Sequence, residues 1–263
     1  MGIIVFSLAI LPMLGMGGVQ LFRAEVAGPI ADKLTPRVKQ TAKLLWYIYV
    51  GFVAIESIIL KMVGMTWFDA ICHSFGTMAT GGFSTRDTSV GAFSGTVQMV
   101  LLVFMFLAAT NFSLHYLSFN KRKFEYFKDR EFKVYLILIA IFTVLFFINT
   151  SSIYHYSLES LRHALFTSVS LLTTTGFGTI DFETWPSLSK MLVFFLLFIG
   201  GCAGSTTGGM KIIRSILITK YLVSEVRKLL HPKGVFPIKI GKKVIPDEVV
   251  KNTLGFYLFY IFI

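Results

Sequence analysis

Charge is scarce in this chain and cysteine scarcer still: 15% of its 263 residues are Asp, Glu, Lys or Arg, and two are Cys. Cys72 and Cys202 stand in or beside apolar runs, which leaves no disulfide framework and makes both small core residues. A chain that is 54% hydrophobic, with 27 Phe and a mean hydropathy of +0.71, carries more apolar surface than a water-soluble fold of this size can hide. Acid is the scarcer sign, 14 Asp and Glu against 25 Lys and Arg. A net charge of +11 would suit a nucleic-acid partner, but the cations gather in three connections, at 23–43, 121–133 and 211–243. The short loops between them hold Arg86 with Asp87, Asp181 and Glu183. That distribution obeys the positive-inside rule and puts the three basic connections in the cytoplasm. The partners it predicts are a lipid bilayer, anionic headgroups included, and no nucleic acid.

The long hydrophobic runs agree. Apolar windows cover residues 2–22, 44–63, 97–119, 134–148, 191–199 with a continuation at 212–222, and 254–263. They are continuous rather than alternating, and about 20 apolar residues cross ~30 Å of hydrocarbon as a helix. The fold class expected is an all-α polytopic membrane protein. No basic stretch or cleavage site marks a signal peptide at Met1. The chain opens inside one apolar segment and stops inside another, so neither end is expected to be that of a complete protein.

Between the long runs one short string is written twice: Thr80, Gly81, Gly82, Phe83, then Thr174, Thr175, Gly176, Phe177. An offset of 94, from Gly82 to Gly176, also pairs Thr85 with Thr179 and Asp87 with Asp181, and sets 107–111 against 201–205. Each copy follows an amphipathic stretch, 67–79 or 161–173, too short to cross a bilayer. Two matched units emerge, each reading helix, re-entrant helix, string, helix.

Such a string suits a dehydrated cation. Backbone carbonyls can replace the hydration shell of K⁺ without a formal charge that would trap it. Glycine at 82 and 176 gives the backbone dihedrals that aim carbonyls at one axis. Thr80, Thr174 and Thr175 add hydroxyls, and Phe83 and Phe177 are expected to pack outward as braces. The re-entrant helices would point their negative ends at the ion. A plain glycine turn ending a buried helix is the alternative for either copy alone; the doubling favours the filter.

Gly200, Gly201, Gly204, Ser205, Thr206, Thr207, Gly208 and Gly209 interrupt the last complete helix. Non-helical backbone at membrane depth must be buried in protein or line a water-filled cavity, so this stretch is expected under the filter as a flexible constriction or gate. Close helix packing through small residues is the other reading. A phosphate cradle is excluded, because no Gly-Lys-Ser/Thr follows and no strand precedes. Asn111 is a candidate for the cavity or for a bond to a neighbouring helix. Glu56, inside an apolar run, is a functional candidate or a paired structural carboxylate. His73, His115, His155 and His163 have no metal-ligand spacing, and no catalytic constellation forms. No enzyme activity and no cofactor are expected; K⁺ is the cargo.

The doubled Thr-Gly-Phe strings, the 200–209 break followed by Met210-Lys211, and the opening 11–20 stretch, Leu-Pro-Met-Leu-Gly-Met-Gly-Gly-Val-Gln, together resemble the Trk/Ktr/HKT superfamily of cation transporters. His231-Pro232-Lys233 and Pro237-Ile238-Lys239 resemble its Trk branch. The resemblance covers essentially the whole chain. It implies four membrane–pore–membrane repeats around a pseudo-fourfold K⁺ pathway, a homodimer, a cytosolic nucleotide-binding ring as regulatory partner, and the bacterial inner membrane as location. Residues 1–43 would be the second helix of repeat 1 with its cytoplasmic loop, 44–132 repeat 2, 133–248 repeat 3 with its broken second helix, and 249–263 the start of repeat 4. Gly82 and Gly176 would be filter glycines and 200–209 the obstructing intramembrane loop. Lys211 and Arg214 would face the cytoplasmic vestibule or mark the membrane edge. Two strings are half a ring, so the chain alone is not expected to transport. A tandem-pore tetrameric channel is the rival, weakened by the absence of Gly-Tyr-Gly; a membrane enzyme using the glycine-rich loop is the remoter one.

Overall fold

A computed structural model describes residues 38–121, 125–154, 157–231, 234, 236–240 and 243–262. The apolar window 2–22, the 11–20 stretch, His155, Pro232 and Lys233 lie outside the described residues. Nine helices are described: α1 Val38–Met62, α2 Trp67–Met78, α3 Gly95–Ala108, α4 Phe112–Lys121, α5 Arg130–Tyr154, α6 Leu158–Leu172, α7 Ser187–Leu197, α8 Ile212–Leu230 and α9 Asp247–Phe262. The all-α expectation holds apart from one two-residue hairpin, β1 Lys239–Ile240 antiparallel to β2 Lys243–Val244.

Among the described residues two helices are long and apolar enough to cross a membrane alone, over Lys43–Met62 and Arg130–Ser151. Only 22% and 33% of their apolar windows is buried within the chain; Ile55, Ile58, Ile137, Ile141 and Ile148 face outward, as lipid-facing side chains do. The chain is a helical membrane protein. α2 packs along α1 and α6 along α5, each short helix returning beside the long one.

Sequence chemistry sets the short helices. Thr66 caps α2 by accepting the Asp69 N–H (3.1 Å), and Ser157 caps α6 by accepting the Ser160 N–H (3.1 Å), each satisfying an N–H that the first turn leaves orphaned. Both helices end at the same register, Met78 and Leu172, 94 residues apart.

The 97–119 window is not one helix. α3 and α4 meet at 93° across residues 109–111. The bend frees carbonyls, and His115 recovers one: its Nε2 lies 3.0 Å from the Leu107 carbonyl, which can only accept, while Nδ1 takes the Tyr126 hydroxyl at 2.9 Å. Tyr135, Phe146, Phe166, Leu101, Met105, Leu196 and Ile212 form a continuous core between the units.

Candidate functional site

The two strings have one backbone. Thr80 and Gly82 take φ of 51° and 65°, and Thr174 and Gly176 take 53° and 87°. Left-handed φ is uncommon outside glycine, so its repetition at a Thr in each copy marks a conserved geometry within the chain. The N–H groups of Gly81 and Gly82 both turn back to the Gly76 carbonyl (2.7 and 3.3 Å); those of Thr175 and Gly176 turn back to Ser170 (3.0 and 3.3 Å). Donors are consumed inward and acceptors are left over. Among the described residues, the carbonyls of Thr80, Gly81, Gly82, Thr174, Thr175 and Gly176 accept no hydrogen bond. The strings also meet: a Cβ on Gly82 would sit 2.0 Å from the Thr175 carbonyl oxygen, whereas one on Gly176 would enter open space.

Each string is clipped to the first turns of its short helix by one hydrogen bond at the same register. In the earlier unit the Thr85 hydroxyl donates to Asp69 Oδ1 (2.6 Å), and Arg86 reaches Oδ2 (3.1 Å). The Thr85 bond foremost holds the Asp69 carboxyl below the usual carboxylate range. In the later unit His163 Nδ1 and the Thr179 hydroxyl take the same places, 2.9 Å apart. Burial foremost lowers the His163 imidazole from its usual range.

The phenylalanines part from expectation. Phe177 is buried and stacks on His73 of the earlier unit, ring centroids 5.8 Å apart. His73 is itself fixed, with Nδ1 on the Asp69 carbonyl (2.7 Å) and Nε2 on the Ser84 hydroxyl (3.0 Å). Phe83 is 81% exposed and stacks on no ring among the described residues. Phe177 thus rests on the short helix of the unit before it; for Phe83 no preceding short helix is among the described residues.

Residues 198–211 form a hairpin-like loop closed at its base. Gly200 N–H donates to the Met210 carbonyl (2.9 Å), Met210 N–H to Phe198 (3.2 Å) and Ile212 N–H to Gly201 (3.2 Å). Its tip touches both strings at equivalent threonines. The Thr80 hydroxyl lies 3.0 Å from the Thr206 carbonyl and 2.7 Å from that of Ala79, and Gly208 N–H donates to Thr174 Oγ1 (2.7 Å). Cys202 N–H donates to Ala109 (3.0 Å), while the Thr206 hydroxyl reaches Ala108 (3.0 Å), so the loop also docks on the bend between α3 and α4. The glycines serve this close approach. Cβ atoms on Gly200 and Gly201 would meet the Gly208 and Ala109 carbonyls at 2.1 and 2.8 Å.

Two charged residues hold the loop. Glu131, buried in the first turn of α5, accepts the Ala203 and Ile213 N–H groups on one oxygen, both at 2.9 Å. The Lys211 ammonium is buried rather than facing a vestibule. It donates to the Thr207 carbonyl, to Thr207 Oγ1 (2.7 Å) and toward Ser205 Oγ (3.5 Å). Arg214 lies over the Phe256 ring of α9, 3.9 Å from its centroid, a cation–π contact. Asn111 caps α4 by accepting the Ser113 N–H (2.8 Å), and its amide abuts Gly204. Glu56 is fully buried on α1, and neither carboxyl oxygen has a hydrogen-bond partner among the described residues. Sequence reasoning passed over Glu131 and the capping role of His115. An acid opening an apolar run reads as an ordinary favourable charge at a helix N-terminus.

Over residues 1–263 the chain matches the sequence family described as TrkH, cation transport protein. It is 44% identical to the Trk system potassium uptake protein TrkH of Halomonas elongata, across 99% of this chain and 55% of that protein. Identity to Escherichia coli K12 TrkH is 42%, over the same shares, and to E. coli K12 TrkG 34%, over 99% and 54%. The crystal structure of the potassium transporter TrkH from Vibrio parahaemolyticus superposes with a TM-score of 0.81 at 40% identity, over 97% of this chain and 53% of that one. The chain spans about half the length of the curated relatives it matches.

Proposed function

Since the chain belongs to the TrkH family of cation transport proteins, we propose that it supplies two of the filter strings through which a bacterial inner-membrane transporter takes up potassium. The observation that carries this reading is the pair of strings with one left-handed backbone and six unclaimed carbonyls, set at the C-terminal ends of α2 and α6. Carbonyl oxygens and the negative ends of helix dipoles favour a dehydrated monovalent cation and repel anions. The remaining ring members come from outside the described residues. The relatives' names place them in a Trk system. Homodimerisation and a cytosolic nucleotide-binding ring are the partners expected of this chain too.

In this reading the 198–211 loop obstructs the path. Its tip bonds Thr80 and Thr174 directly beneath the carbonyl steps, and Lys211 places an ammonium on oxygens that a passing ion would otherwise meet. Two variants of the intact protein in liposomes test the proposal. Gly176→Ser adds a side chain where space is open and strains only φ, so K⁺ over Na⁺ discrimination falls while the protein still folds. Removing residues 205–207 raises Rb⁺ flux several-fold. Unchanged ion ratios in a folded Gly176→Ser protein would count against the filter, and wild-type flux after the deletion would leave the loop a packing element only.

A further inference from the structure

The basic connection after the broken helix borders a cavity that lies apart from both strings. About 320 Å³ lies between the second half of α8 and residues 236–239, with Lys220, Ser224 and Arg227 on one wall and Phe236, Ile238 and Lys239 on the other. Among the described residues three cations line it, and no acid does. The spacing 220, 224, 227 puts the helix contribution on one face. The acid on α8 points elsewhere: Glu225 pairs with Lys228 at 2.7 Å. Arg130, at the start of α5, adds its field, and with burial as the larger cause it keeps the Lys220 ammonium below its usual range. The walls are tied together, since the Lys220 ammonium donates to the Lys239 carbonyl and the Ser224 hydroxyl to that of Phe236 (3.1 Å). Like charges held together without a counter-charge repel, and an anion of matching shape relieves that repulsion.

We propose that this cavity binds a phosphoryl group, carried either by an anionic lipid headgroup or by a soluble phosphate ester. Arg227 offers the planar fork that matches two phosphate oxygens, Lys220 and Lys239 add point charges, and Ser224 lies within the same wall. The apolar half of the lining admits the carbon skeleton next to the phosphate. The inference rests on the cavity and its charges, not on conduction, so it survives if the filter reading fails.

The experiment uses the intact protein and two probes. Calorimetry with inorganic phosphate and pyrophosphate reports soluble anions; retention of phosphatidylglycerol over phosphatidylcholine from mixed vesicles reports headgroups. Arg227→Gln and Lys239→Gln are each expected to weaken the responding probe by about fivefold, the worth of one cation near an anionic surface, and added salt weakens it further. Lys228→Gln, outside the cavity, leaves it unchanged. A response to lipid alone identifies the headgroup as the source, and a response to phosphate or pyrophosphate alone identifies a soluble ester. If Arg227→Gln does not fold, Lys239→Gln decides, because its backbone carbonyl rather than its side chain takes the Lys220 bond. No response from either probe, or equal loss in Lys228→Gln, overturns the proposal.

Discussion

The two units break their second helices at the same register and repair the break differently. In the earlier unit α3 and α4 turn through 93° across 109–111; His115 takes the Leu107 carbonyl and Asn111 caps the new helix, while the later unit's loop supplies donors to the Ala108 and Ala109 carbonyls and an acceptor, Gly204, to the Phe112 N–H. In the later unit the break widens to 198–211, and its backbone needs help from outside. From α5, Glu131 accepts the Ala203 and Ile213 N–H groups, and Lys211 binds the turn from within. The short bend is closed by neutral side chains and by the loop docked on it, whereas the loop that reaches both strings is anchored by two buried charged residues. The later unit thus carries an extended loop that the earlier one lacks.

The sharpest way to break this symmetry is at the glycines. Gly82→Ser forces a Cβ to within 2.0 Å of the Thr175 carbonyl at a φ of 65°, so a loss of about 3 kcal/mol or more is expected, with both strings disturbed. Gly176→Ser, with open space around it, costs about 1–2 kcal/mol from φ alone. Thermal unfolding of the two variants side by side checks the difference, and equal losses would mean that the strings do not meet.

Next in size is the anchor. Glu131→Ala strands two buried N–H groups at roughly 1–3 kcal/mol each, while Glu131→Gln keeps an acceptor and loses less. Cysteine accessibility at position 206 should rise in Glu131→Ala, and Rb⁺ flux with it. A loop that stays protected in Glu131→Ala would show that the carboxylate does not hold it.

The smallest effect separates the two clips by pH. The Asp69 carboxyl is lowered, so its contribution is present above about pH 4 and is lost as pH falls through the depressed value. His163 is also lowered. Its contribution is complete above about pH 6.5 and is lost as pH falls toward its folded value. Acidification therefore loosens the later string first. Hydrogen exchange at 81–86 and 175–180 between pH 4 and 8, corrected for intrinsic rates, should show protection fading at 175–180 well before 81–86; the reverse order would contradict the assignment.

Much of this was legible in the sequence because repetition and hydropathy are local signals. The expected stretches 67–79 and 161–173 became α2 and α6 within three residues at each end. What failed depended on distant partners. The 97–119 window is apolar enough on average to hide its bend, and the cap that Asn111 places on α4 was not among the two roles, cavity lining or a bond to a neighbouring helix, that the sequence offered for it. For Lys211 the sequence offered a vestibule or a membrane-edge position, and nothing in its surroundings announces that Ser205 and Thr207 curl back around its ammonium. Glu131 meets its partners across 72 and 82 residues, a separation that no short pattern encodes. Phe83 and Phe177 are alike in sequence and opposite in burial among the described residues, and the partner that covers Phe177, His73, lies 104 residues away.

The central claim is that the leftover carbonyls of both strings face one cation. Anomalous diffraction from crystals of the intact protein grown in Rb⁺ tests it most directly. The account predicts an Rb⁺ peak between the strings, within coordination distance of carbonyls from both 80–82 and 174–176, that weakens when Na⁺ replaces Rb⁺. Well-ordered strings with no peak between them, or a peak bound only by side chains, would contradict it.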